Sequence, residues 1–126
     1  MGYDPYFLGD DLKVPLPTLG QVAQAEAWDH GRLVEHPHFT LAMHAHRRMA
    51  LFTAHNIDGA QLVSVSSGSS WRLDDAVPDE LQAGPEVYVD NPWDRGHLVR
   101  RAAVLWGTVA EAREAGRQAA FLVQPR

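Results

Sequence analysis

At 126 residues the chain is long enough for one compact domain that buries roughly two-thirds of the surface its unfolded form exposes, and 45% hydrophobic with 21% charged residues excludes a disordered or collagen-like chain. A formal net charge of -5 excludes a protein that holds nucleic acid by bulk electrostatics alone, since phosphate neutralisation needs a cationic face. The absence of Cys excludes a disulfide framework and thiolate chemistry, and no apolar run or basic-then-apolar opening marks a membrane span or signal peptide, so a soluble chain of unknown compartment, with no membrane partner, is expected.

Residues 1–20 carry Pro5, Pro15 and Pro17, which break helices and disfavour central strands, so this stretch is expected to lie as an extended arm over the body of a single domain spanning 1–126. From Gln21 to Trp28 the Ala, Gln and Glu content predicts a helix of one or two turns. His38 to His44 and Arg48 to Ala54 are rich in strand formers and are separated by a polar break at Ala45-His46-Arg47, which predicts a hairpin. Asn56-Ile57-Asp58-Gly59 supplies turn chemistry, and Gln61 to Val65 reads as the next strand. Ser64 to Ser70 reads as a loop and Trp71-Arg72-Leu73 as a brief extended piece. Pro78, Gly84, Pro85 and Pro92 then punctuate a long irregular stretch, interrupted by Val87-Tyr88-Val89, that delivers the chain to Asp94. Loops of this length in a compact domain are usually functional or disordered. Thr108-Val109-Ala110-Glu111 matches a capping box, which predicts a helix from about Val109 to Gly116 with a weak apolar stripe through Ala110, Ala112 and Ala115. Phe121-Leu122-Val123 reads as the start of one more strand.

The basic residues are almost all Arg and bunch as Arg47-Arg48 and as Arg95, Arg100 and Arg101. A guanidinium fork grips phosphate oxygens in pairs, so the two clusters are compatible with a phosphate-handling cleft on an acidic body, and equally with solvated side chains at strand edges. Phosphodiester hydrolysis at neutral pH needs a base to take a proton from water and a cation to stabilise charge on the phosphate. Within Asp94-Arg95-Gly96-His97, His97 offers the base, Arg95 offers phosphate contact, and Gly96 permits close backbone approach.

The text around this segment resembles the DNA/RNA non-specific endonuclease family, whose members carry a DRGH signature on a ββα-metal fold. The resemblance runs from about Leu33 to Gln118 and includes His38 to Met43, Arg47 to Ala50 and Thr53 to Gly59; Trp71, Gln82, Tyr88 and Asn91 follow in order before Asp94, then Leu98-Val99-Arg100-Arg101 and Trp106-Gly107. It implies an α+β fold, a small and mostly antiparallel sheet with peripheral loops and a capped C-terminal helix, forming part of the ββα-metal unit. It also implies metal-dependent endonucleolytic cleavage of DNA and RNA without sequence preference. In that reading His97 is the general base and Arg95 supports phosphate contacts. Asp94 and Gly96 shape the segment, and Arg47, Arg48, Arg100 and Arg101 bind substrate, with the choice between Arg47 and Arg48 for the upstream contact left open. The resemblance implies Mg²⁺ held mainly by an Asn downstream of the general base. No Asn or Asp follows His97, so the usual ligand is expected to be missing and no metal ligand is assigned.

Two other readings remain. The chain is a catalytically incomplete unit that binds nucleic acid or self-associates, with a second copy or a partner chain covering the edge of a halted sheet. Alternatively, His36, His38, His44 and His46 converge on zinc or nickel.

Overall fold

The computed structural model describes residues 2–66 and 71–120, together with the backbone of 123–125. A three-stranded antiparallel sheet in the order β1-β2-β3 is built from β1 (Leu33–His36), β2 (Phe39–Met43) and β3 (Ala50–His55), and it is preceded by the short helix α1 (Gln21–Glu26). The expected hairpin is present as β2 and β3. Their pairing runs from Phe39 opposite His55 to Ala42 opposite Phe52, with a register shift before Met43 meets Ala50. The strand β1, which strand-forming composition did not single out, pairs through Leu33 with Ala42 and through His36 with Phe39.

Every residue of β2 is buried, as a central strand requires when both faces are covered. Phe39, Leu41 and Met43 point to one face and join Val34 in a core with Val77, Val99, Val104, Ala115 and Ala119. Toward the other face the N-terminal arm closes over Thr40, whose Oγ1 accepts the Tyr3 N–H at 2.8 Å. The Gly2 N–H reaches the carbonyl of His36, and Asp4 and Asn56 exchange two hydrogen bonds between backbone and side-chain amide. Gly2 has φ +85, and a Cβ there would stand 2.8 Å from Thr40 Oγ1, so the close approach needs glycine.

The segment 61–65, expected as a strand, makes only an isolated bridge between Leu62 and Trp106, flanked by Val63 N–H to Leu105 and Gly107 N–H to Gln61. Its partner turns away at Gly107, φ +83, into the next helix, so the ladder has nothing further to pair with. Residues 64–66 are irregular, in keeping with the expected loop, whose remainder at 67–70 lies outside the described residues; 71–73 form no strand. The stretch up to Asp94 holds two short 3-10 turns, Asp79–Leu81 and Pro85–Tyr88.

A second, two-stranded sheet pairs β4 (Arg95–His97) antiparallel with β5 (Val123–Pro125); the expected strand start at 121–122 lies outside the described residues. Between them α2 (Val109–Gln118) begins at the anticipated capping box, with Thr108 Oγ1 accepting the Glu111 N–H and the Glu111 carboxylate accepting the Thr108 N–H. Its buried face is not the expected stripe: Ala110 is exposed, while Ala112, Ala115, Gly116 and Ala119 turn inward at the i, i+3, i+4, i+7 spacing of a helix packed on a core. At Gly116 an added Cβ would lie 2.7 Å from Leu105 Cδ2, so the helix packs close there. The protein is therefore α+β, with a small antiparallel sheet and a capped C-terminal helix. Among the described residues no helix is long and apolar enough to cross a membrane.

Candidate active site

The Asp94-Arg95-Gly96-His97 segment enters β4 from a tight turn that Asn91 builds. Asn91 Nδ2 donates to the carbonyls of Val87 and Val89, and its Oδ1 accepts the Trp93 N–H at 3.0 Å. Strand alternation then sets Arg95 and His97 on one face and Gly96 on the other. An open groove of about 520 Å³ is lined by Trp71, Tyr88, Trp93, Asp94 and Arg95. The Arg95 guanidinium lies over the Tyr88 ring, 5.6 Å from its centroid, a distance at which the ring quadrupole attracts the cation. The Trp71 ring packs against His97, with centroids 4.7 Å apart and planes inclined by 53°.

His97 keeps solvent access, yet its pKa is lowered from 6.5, first by desolvation and then by the positive charge of Arg101. Both effects disfavour the imidazolium, so the ring is predominantly neutral at pH 7 and has a nitrogen lone pair free to accept a proton. Arg101 is fixed by Nη2 donating to the carbonyls of Val65 and Ser66. The Tyr88 phenol has its pKa raised by desolvation, with Arg95 opposing, so it stays protonated, and its buried hydroxyl has no hydrogen-bond partner among the described residues.

The structure thus brings Asp94, Arg95 and His97 together with Arg101 in electrostatic reach. Arg100 is exposed just before the 3-10 turn Arg101–Ala103. Arg47 and Arg48 sit apart from the groove lining, in the turn between β2 and β3. There His44 Nδ1 accepts the backbone N–H of His46 and Arg47. The Arg47 side chain is exposed, whereas Arg48 donates to the Glu86 carboxylate at 2.9 Å and to the Glu80 carbonyl. Of the two, Arg48 is the one engaged by neighbouring groups. Sequence reasoning did not assign the aromatic wall; the signal was three large aromatics, Trp71, Tyr88 and Trp93, concentrated shortly before the signature.

The four histidines of the zinc or nickel reading do not converge. His36 Nε2 bonds Asp74 Oδ2 at 2.5 Å in the core. His38 stacks on Trp106 at 3.5 Å and donates from Nδ1 to the Val104 carbonyl. His44 turns Nε2 toward Glu26 at 3.3 Å, and His46 is exposed. Among the described residues no three His, Asp or Glu side chains are arranged to hold an ion. The reason is that turns separate β1, β2 and the segment 44–49, and His36, His38 and His44 each find a different neighbour.

Among the described residues, the carboxylates downstream of His97 are not open to Mg²⁺ either, which takes oxygen ligands. Glu111 is engaged by Thr108, and Glu114 by Arg117 and Gln118. Asn56 and Asn91 are committed to backbone. No catalytic step is therefore assigned to a metal.

The family model for DNA/RNA non-specific endonucleases matches residues 21–122. A curated relative, an uncharacterized protein y4fB of Sinorhizobium fredii (strain NBRC 101917 / NGR234), is 38% identical over 133 residues; the match covers 90% of this chain and 19% of the relative. The chain thus spans about a fifth of the length of that curated relative.

Proposed function

The chain belongs to the DNA/RNA non-specific endonuclease family, and from that premise we propose that the β4 groove carries the general-base half of a site that hydrolyses phosphodiester bonds of DNA and RNA. The observation that carries this reading is His97: a solvent-accessible imidazole whose partly desolvated setting, beside Arg101, keeps it neutral near pH 7, with a lone pair open to a proton. In this mechanism His97 takes a proton from a water molecule as that water attacks phosphorus. The phosphorus–oxygen bond to the leaving sugar breaks, and the departing alkoxide takes a proton from solvent. Arg95, on the same strand face, meets the negative charge on the phosphate oxygens. Asp94 and Gly96 shape the approach, and Arg47, Arg100 and Arg101 add cationic guidance along the backbone. Such contacts read charge rather than base edges, in keeping with cleavage that ignores sequence.

A second reading, a catalytically incomplete unit that binds nucleic acid or associates with another chain, is favoured by the engagement of the downstream carboxylates Glu111 and Glu114 with Thr108 and Arg117. One measurement separates them: turnover of plasmid DNA and of RNA by the pure chain in excess Mg²⁺. Turnover that disappears in His97→Ala supports the nuclease reading. No turnover by the unaltered chain, with nucleic-acid binding intact, supports the second.

A further inference from the structure

Around the groove, three large aromatic side chains surround the signature. Two of them have rings already covered by site residues: Trp71 faces His97, and Tyr88 lies under Arg95. Trp93 differs. It stands on the residue before Asp94, lines the same groove, and keeps 55% of its surface open. The Asn91 side chain holds its backbone N–H, so the indole is presented from a fixed turn rather than from a free loop. The open indole and the Arg95 guanidinium line one groove, an arrangement suited to a flat group that carries an anionic neighbour.

We propose that Trp93 is a stacking platform for an unpaired nucleobase, and that the groove therefore takes single-stranded segments of DNA or RNA in preference to duplex. The inference rests on the nuclease reading of the same groove and names the form of substrate it takes. The groove, about 520 Å³, is of the size that accepts a small ligand such as a nucleotide. Phosphate is held at Arg95, the next residue but one, while the adjoining base lies on the indole. Sequence neutrality is retained because every base has a π-face. Duplex does not meet the same demand, since its bases already stack on each other and exposing one requires unstacking and unpairing.

The test is binding of the full chain in metal-free buffer containing a chelator, followed by anisotropy of a labelled short oligothymidylate and by indole quenching. Stacking predicts that Trp93→Ala weakens binding by roughly 5- to 150-fold, that Trp93→Phe restores most of it, and that a hairpin duplex is held equally by both proteins. It also predicts that an abasic oligomer of the same length binds the unaltered chain as poorly as the oligothymidylate binds Trp93→Ala. Equal binding of oligothymidylate by Trp93→Ala and the unaltered chain, or of abasic and base-bearing oligomers, overturns the platform. Turnover in excess Mg²⁺ that is lost in His97→Ala is read separately from oligomer binding, so loss of the platform beside His97-dependent cleavage leaves the nuclease reading standing.

Discussion

Replacing Asp74 by Ala removes the acceptor for His36 in the middle of the core. Both side chains are almost wholly buried, and Nε2 and Oδ2 are 2.5 Å apart. The imidazole then loses its Asp74 partner in a buried setting, which costs about 1–3 kcal/mol, and loss of the Ala76 N–H bond to Oδ1 adds about 0.5–1.5 kcal/mol. Gln82 is spared, because its three bonds run to the backbone of Asp74 and Val77. A loss of roughly 2–4 kcal/mol follows, against a total stability of about 6–19 kcal/mol for a chain of this length. Urea unfolding followed by far-UV circular dichroism measures it. With a slope of about 2 kcal/mol per molar, the midpoint falls by roughly 1–2 M. Asp74→Asn, which retains an acceptor oxygen, loses much less. A midpoint unchanged in Asp74→Ala would refute the reasoning, because it would mean the pair contributes nothing beyond filling space.

The His97 imidazole titrates below 6.5 in the folded chain, as NMR of its ring protons will record. Trp71→Ala moves the value upward by readmitting water, and Arg101→Ala moves it upward by removing a like charge. The sign for activity follows: the neutral ring is the base, so the rate rises with pH through the lowered pKa and is level by neutrality. Stability runs the same way, since the unfolded chain binds this proton more readily and the folded state loses ground as pH falls from 6.5 toward the folded value. A titration at or above 6.5 contradicts both statements. Thr108→Ala removes the hydroxyl half of the α2 capping box and costs about 1 kcal/mol, read as a lower urea midpoint with an unchanged slope.

Features written in neighbouring residues were legible beforehand. The hairpin was visible because β2 and β3 are runs of strand formers on either side of one polar break. The start of α2 was visible because a capping box is a four-residue pattern. The signature was visible because its residues are contiguous and their chemistry is read directly. What escaped depends on partners far along the chain. β1 is only four residues, Leu33–His36, and its identity comes from pairing with β2. The burial of His36 needs a carboxylate 38 positions away, and the fate of His38 needs Trp106. Residues 61–65 carry the strand formers Val63 and Val65, but their partner segment is too short to form a ladder with them. The inward face of α2 was misread at Ala110 because alanines surround the helix and only the packing against Leu105 and Val104 decides which of them turn in.

The Trp106 indole gives the N-terminal arm a consequence of its own. Its N–H bonds the Asn56 carbonyl, His38 stacks on one side, and Phe7 of the arm leans on it at 5.3 Å. The match to the family model begins at residue 21, but cooperative folding does not respect that limit. A polypeptide begun there would uncover the central strand at Thr40 and strip Asn56 of its partner at Asp4. Excision at residue 21 should leave a protease-sensitive remnant, and trimming experiments ought to retain the first twenty residues.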